Sequence, residues 1–202
     1  MAIIHNTTIR PSKLELLAGW LPEQAWFTGN GEGLARAGGF RLDDPAGEVG
    51  IEFMVVMAGN GAAYLAPMTY RGAPLAGADG ALIGTAEHGV LGTRWIYHGE
   101  RDPVLRAQLA ALLCGEVVPQ AQSKSNTPEA TVLVRPGHNS ADIHIKRLLS
   151  EDDAPHGYSA YVSATWRRAD GSIARGIVAS AARRVSRRFD RPGPEQPFLR
   201  GN

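Results

Sequence analysis

Between residues 38 and 75 the chain allows little except strand and reversal. Val49, Ile51, Phe53, Val55 and Met57 face one way, and Glu48, Gly50 and Glu52 begin the other face, the two-residue period of a strand with one buried side. At Met54 and Val56 the alternation gives way to apolar residues on both sides, the mark of a central strand covered on each face. Asp44-Pro45-Ala46-Gly47 and Gly59-Asn60-Gly61 flank this run with residues that supply fixed or positive φ cheaply. Residues 40–43, 48–58 and 62–71 therefore read as an antiparallel meander.

Composition agrees with that reading. The 24 glycines and 13 prolines among 202 residues imply many turns and little long helix. With 44% apolar and 20% charged residues the chain falls among ordinary soluble globular proteins. A single cysteine, Cys114, excludes an intrachain disulfide and fits a reducing compartment, so the cytoplasm is the expected location. The N-terminus lacks a signal-peptide apolar stretch, and the longest strongly apolar run, 53–58, is too short to span a bilayer. Net charge is +1, which gives no general reason to expect nucleic acid or a membrane surface as partner.

Around the meander the chain places two helices. Ser12 and Glu15 form a capping box, Leu14, Leu16, Leu17, Trp20 and Leu21 make an apolar stripe, and Pro22 ends the run. A short strand at 2–5 precedes it. After a strand at 93–98, Asp102 caps a second helix with Pro103 in its first turn; Leu105, Leu109, Leu112 and Leu113 line its buried side, and Gly115 closes it. Residues 120–128 are polar and irregular. Strands follow at 131–135 and 142–149, then 158–168 and 172–180 joined by Asp170-Gly171. Read as a two-residue hairpin, that turn sets Arg168 against Ile173, Trp166 against Arg175, Ala164 against Ile177 and Val162 against Ala179. Trp166 over Arg175 would add a cation–π contact.

The fold expected is α+β: a curved antiparallel sheet against one or two short helices, followed by further antiparallel strands that include the hairpin at 158–180. The expected organisation is a first region at 1–116, a β-rich region packed with it at 117–190 that ends in a basic segment, and a poorly ordered tail at 191–202 with three prolines.

Residues 12–20, the block 38–75, and Ile83-Gly84-Thr85-Ala86-Glu87-His88-Gly89-Val90-Leu91-Gly92-Thr93-Arg94-Trp95-Ile96-Tyr97 together resemble the N-terminal cap domain of the maltokinases. Those enzymes phosphorylate maltose with ATP in the trehalose to glycogen route. Several separated motifs in the right order carry the likeness. It implies a cystatin-like sheet and helix for the first half, and it implies no activity, because in the kinases the lobes after the cap carry the chemistry. Beyond Gly115 the likeness thins. Gln122-Ser123-Lys124-Ser125-Asn126-Thr127 and Ile145-Lys146-Arg147-Leu148-Leu149 are faintly similar to the kinase segments around the phosphate-contacting loop and lysine, which makes Lys146 a candidate nucleotide contact. Phosphoryl transfer needs a carboxylate for the hydroxyl and a metal-holding Asp or Asn. The wording His-Gly-Asp followed shortly by Asn does not occur, and the chain ends where a kinase's catalytic lobe would begin. The expectation is a stand-alone cap without its kinase, with no catalytic residues, metal or cofactor.

Other chemistry is sparse. Glu87-His88 pairs a carboxylate with an imidazole, but neighbours on a strand point to opposite faces, so a structural role in a turn is the simpler reading. His144, between Ile143 and Ile145, faces away from both. If the region from Ala182 is helical, Arg183, Arg184, Arg187, Arg188 and Arg191 share one face, which could take an anion or a protein partner. Trp95, Tyr97, Tyr64 and Tyr70 could stack a sugar, although aromatics on strands are more often core. Two function classes follow. The first is a non-catalytic binding or regulatory protein, acting on a protein partner or on itself, near maltose, trehalose or glycogen metabolism. The second is a sugar- or nucleotide-binding protein or enzyme using a pocket between sheet and helix.

Overall fold

The computed structural model describes residues 8–137, 142–151 and 157–182. The expected strand at 2–5, the arginine stripe and the tail lie outside the described residues. Strands β1 (Ile9–Arg10), β2 (Ala35–Leu42), β3 (Gly50–Met57), β4 (Ala63–Arg71), β5 (Leu82–His88), β6 (Gly92–His98), β7 (Leu133–Arg135), β8 (Ile143–Ile145), β9 (Leu148–Leu149), β10 (Tyr158–Arg167) and β11 (Ile173–Ala182) form one antiparallel sheet. Its helices are α1 (Lys13–Trp20) and α2 (Pro103–Cys114). The fold is α+β, as the patterning implied.

The meander forms where expected, with its first strand starting earlier, at Ala35. Its turns are held by side chains. Asp44 is buried and its carboxylate accepts the N–H groups of Ala46, Glu48 and Val49 at 3.1, 3.0 and 2.9 Å. Asn60 accepts from Ala62 N–H and donates to the Thr28 carbonyl. Both helices start as the sequence predicts. Ser12 Oγ accepts from Glu15 N–H while Glu15 accepts from Ser12 N–H, and Asp102 Oδ1 accepts from Val104 N–H. Gly115 ends α2 at φ +78°, a conformation a side chain would strain.

The strand path β4-β3-β2-β10-β11 curls back on itself. Residues 143–149 run as one segment whose first part pairs with β11 and whose second part pairs with β4. Lys146 N–H donates to the Val178 carbonyl, and the Arg147 carbonyl accepts from Leu65 N–H. The hydrogen-bonded path thus returns to its start and closes a ring. One side of the β3–β4 wall buries Phe53, Val55 and Leu65 with Leu105, Leu109, Leu112 and Leu113 of α2. The other buries Met54, Val56, Tyr64 and Met68 with Leu17 and Trp20 of α1. Central strand β3 is therefore covered on each face.

The register read for the last hairpin is corrected. Arg167 pairs with Ile173, Trp166 with Ala174, Thr165 with Arg175 and Ser163 with Ile177. Gly171 takes φ +84°, Asp170 does not take positive φ, and Arg168 N–H donates to the Ser172 carbonyl. The loop is thus three residues, Ala169 to Gly171, with its glycine in the left-handed region, where a two-residue type I′ turn needs positive φ twice. A register irregularity between Val162 and Ser163 restores Val162 opposite Ala179. Trp166 is buried against the inner core and does not cover Arg175.

Candidate functional site

The described charges divide into those consumed by the fold and those left at its surface. Glu52 lies on the α1 side of β3 and is only 2% exposed. Lys13 Nζ and the Tyr70 hydroxyl each donate to its Oε2 at 2.6 Å, and Gln122 Nε2 donates to its Oε1 at 2.7 Å. Burial works to raise the carboxyl pKa, but Lys13 and the other two donors outweigh it and hold Glu52 below the usual carboxylate range. Tyr70 is pushed well above its ordinary value by burial and by the Glu52 charge. The polar connection at 120–128 is thereby tied down. Gln120 pairs backbone to backbone with Arg41 of β2, and two residues later Gln122 reaches across to Glu52.

Asp102 serves α2 in the same way. Beyond capping the helix it is gripped by Arg71, whose Nε and Nη2 each donate at 2.7 Å in a bidentate fork. Burial opposes ionisation of Asp102, and Arg71 with the Val104 N–H overcomes it, so its pKa is lowered. Glu52 and Asp102 are therefore structural carboxylates with their oxygens already engaged.

His98 is 6% exposed and stacks on Trp20 with ring centroids 5.1 Å apart. Burial first, then the Arg147 and Arg101 charges, lowers its pKa to about 4. Arg147 fills the gap along β4 between its β6 and β9 partners. Its guanidinium sits 5.0 Å from the Trp26 ring centroid and donates to Glu100 Oε2 at 2.5 Å. Beside it opens a cleft of about 160 Å³, lined by Glu100, Arg106, Leu109, Ile143, His144, Ile145 and Arg147. It sits at the seam where the ring closes, between α2 and the 143–149 segment.

Of the residues weighed from the sequence, His144 lines this cleft. Arg183, Arg184, Arg187, Arg188 and Arg191 lie outside the described residues. Lys146 is not among the residues that line the cleft, and its backbone N–H donates to the Val178 carbonyl. His144 is exposed and its isoleucine neighbours face inward, as the pattern implied. Glu87 accepts from the Thr93 hydroxyl at 2.6 Å, and His88 Nδ1 accepts the N–H groups of Val90 and Leu91 at 3.3 and 3.1 Å. The pair holds a hairpin, the plainer of its two readings. Tyr64, Tyr70 and Tyr97 spend their hydroxyls on Thr28, Glu52 and the Leu75 N–H respectively. Sequence reasoning missed the Glu52 knot and the Arg147 cleft. A lone Glu within a strand turning apolar on both faces was the available signal for the first; the second joins residues some 40 positions apart and left none.

The β5–β6 hairpin carries an exposed aliphatic pair at its tip, Val90 at 60% and Leu91 at 45% exposure. Arg94 Nη2 donates to the Leu91 carbonyl, so with His88 beneath it the turn is held from both sides.

Among the described residues no helix is long and apolar enough to cross a membrane. Residues 20–102 match the family described as the maltokinase N-terminal cap domain, a span that runs from the end of α1 through β6 to the cap of α2. No curated protein matches the chain.

Proposed function

Taking residues 20–102 as a maltokinase N-terminal cap domain, we propose that this chain is a non-catalytic cap that acts by docking on a protein partner, with the lobes of a maltokinase-type kinase as that partner. The supporting observation is the β5–β6 hairpin within the matched span. Exposed Val90 and Leu91 are held in a fixed turn by His88 and Arg94, so little conformational freedom is lost when they are covered. Glu52 and Asp102, each with its donors in place, support a role in shape rather than in turnover. The proposal extends to a role near maltose, trehalose or glycogen metabolism, supported by the likeness to a maltokinase cap alone.

The test mixes the chain with a maltokinase stripped of its own cap and follows both by size-exclusion chromatography. Co-elution is expected, and Val90→Asp with Leu91→Asp should abolish it. The chain alone, given ATP, magnesium and maltose, should form no ADP above background. Separate elution, or maltose-dependent turnover by the isolated chain, overturns the proposal.

The second reading, a small-ligand protein, is favoured by one feature, the arginine-lined cleft at the ring seam.

A further inference from the structure

We infer that the cleft between α2 and residues 143–149 binds a phosphate monoester or free phosphate, held by Arg106, Arg147 and His144. Except for Glu100, its lining residues lie outside the matched span, so the inference does not rest on the cap reading.

The cleft has a cationic rim over an apolar floor. Arg106 and Leu109 are three residues apart on α2 and share one face, which brings an exposed guanidinium above a buried leucine. Ile143 and Ile145 continue the floor, and exposed His144 alternates with them on the rim. Arg147 closes the far side. It is preorganised, because the Trp26 ring beneath it and Glu100 beside it fix its plane. Arg106 makes no side-chain ion pair among the described residues, so its charge is available to an incoming anion.

The chemistry of the rim selects the ligand. Two guanidinium forks and an imidazole offer more donors than the two oxygens of a carboxylate can use, and they suit the three terminal oxygens of a phosphate. About 160 Å³ admits one such group with a few waters, at roughly 30 Å³ of liquid volume per water. Glu100 competes with that anion for Arg147. A bound phosphate must share or displace the Glu100 contact, and this sets the sign of the central test.

The experiment titrates the whole chain with inorganic phosphate and, separately, with glucose 6-phosphate as an organic monoester, following calorimetry and tryptophan fluorescence; acetate is the carboxylate control. Saturable binding of at least one phosphate is expected, and the tighter of the two identifies the source. Drawing Arg147 away from the indole should change the emission, and Trp26→Phe should remove that change. Glu100→Gln should tighten binding several-fold by freeing Arg147. Arg106→Glu, on an exposed helical position, should weaken it about tenfold or more. Circular dichroism and melting confirm that each variant folds, and Arg106→Glu decides the matter alone if Glu100→Gln does not. No saturation by either phosphate at millimolar concentration overturns the inference. So does binding that Arg106→Glu leaves unchanged, since the anion would then sit elsewhere.

Discussion

The two sides of the β3–β4 wall are made from alternate residues of the same strands, yet they hold together by different physics. Inward, Phe53, Val55 and Leu65 meet the leucines of α2 in an apolar core. Outward, the same strands set Glu52, Tyr64 and Tyr70 against α1, with Trp20, Trp26 and His98 nearby. Inner contacts are many, small and interchangeable, so losses there should scale with the volume removed. Outer contacts are few and specific, so removing one partner strands the others in a site already taken from water. One side should fail by degrees, the other by single groups and by pH.

The sharpest probe of the outer side is Glu52→Ala. It leaves the Tyr70 hydroxyl and the Gln122 amide facing a hole, while the half-exposed Lys13 can turn to water; two donors left unpaired at about 1–3 kcal/mol each should cost about 3 kcal/mol or more together. Urea unfolding of this variant should show that loss, while Glu52→Gln with Lys13→Met, which keeps an acceptor and removes the orphaned cation, should recover most of it. Equal destabilisation of the two would show that the knot needs its charge and not merely an acceptor of the same shape.

On the inner side Leu109→Ala deletes fully buried methyl groups between α2 and the ring, with an expected cost of about 3 kcal/mol within a range of about 2–5. Leu109→Met should cost less than about 1.5 kcal/mol, because volume is nearly kept. No comparable tolerance is expected at Glu52. If Leu109→Met proved as harmful as the alanine, the inner side would be as specific as the outer and the contrast would fail.

The pH dependence of stability separates the sides further. His98 is buried neutral with a pKa of about 4, whereas unfolded it titrates near its ordinary 6.5. Below 6.5 the unfolded chain takes up a proton that the folded chain refuses, so stability falls as pH drops from 6.5 toward 4. Between pH 7 and pH 5 the loss from this group should be about 2 kcal/mol. That window lies mostly above the range in which Glu52 and Asp102, both with lowered pKa values, would begin to lose their own contributions. Paired urea unfolding curves at the two pH values should give the difference, and His98→Phe should flatten it. A slope that survives the substitution would move the sensitivity to another group.

What the sequence made legible follows the same division. The inner side was readable because it rests on periodicity: Val49 to Met57 announced a face, and the α2 leucines announced another. The helix starts at Ser12 and Asp102 were readable because capping is local. The outer knot was not, since Lys13, Glu52, Tyr70 and Gln122 come from four separate segments and nothing short-range ties them. Ring closure escaped for a related reason. Residues 142–149 look like one strand, and only the fold reveals that its two ends serve different partners. The last hairpin misled because Asp-Gly fits both a two-residue turn and the end of a three-residue loop, and the choice between them moves each pair from the turn as far as Ser163 by one. The cleft depends on α2 and the 143–149 segment meeting, so no motif announced it.

The smallest effect tests how far α1 depends on its own start. This helix has eight residues and buries only Leu17 and Trp20, whereas α2 has twelve and buries four leucines. A short helix with so little packing relies more on its first turn, because nucleation is costly and few later bonds offset it. Ser12→Ala removes the side-chain acceptor at that turn and should cost about 1 kcal/mol, with Ser12→Asp close to neutral. Lys13 is the first residue of α1 and also the cation on Glu52, so fraying there should loosen the knot as well. Hydrogen exchange at the amides of residues 15–17 should accelerate in Ser12→Ala, while those at 106–109 in α2 stay unchanged. Matching acceleration in both helices would mean that the cap acts through global stability, and that the two sides of the wall unfold as one unit.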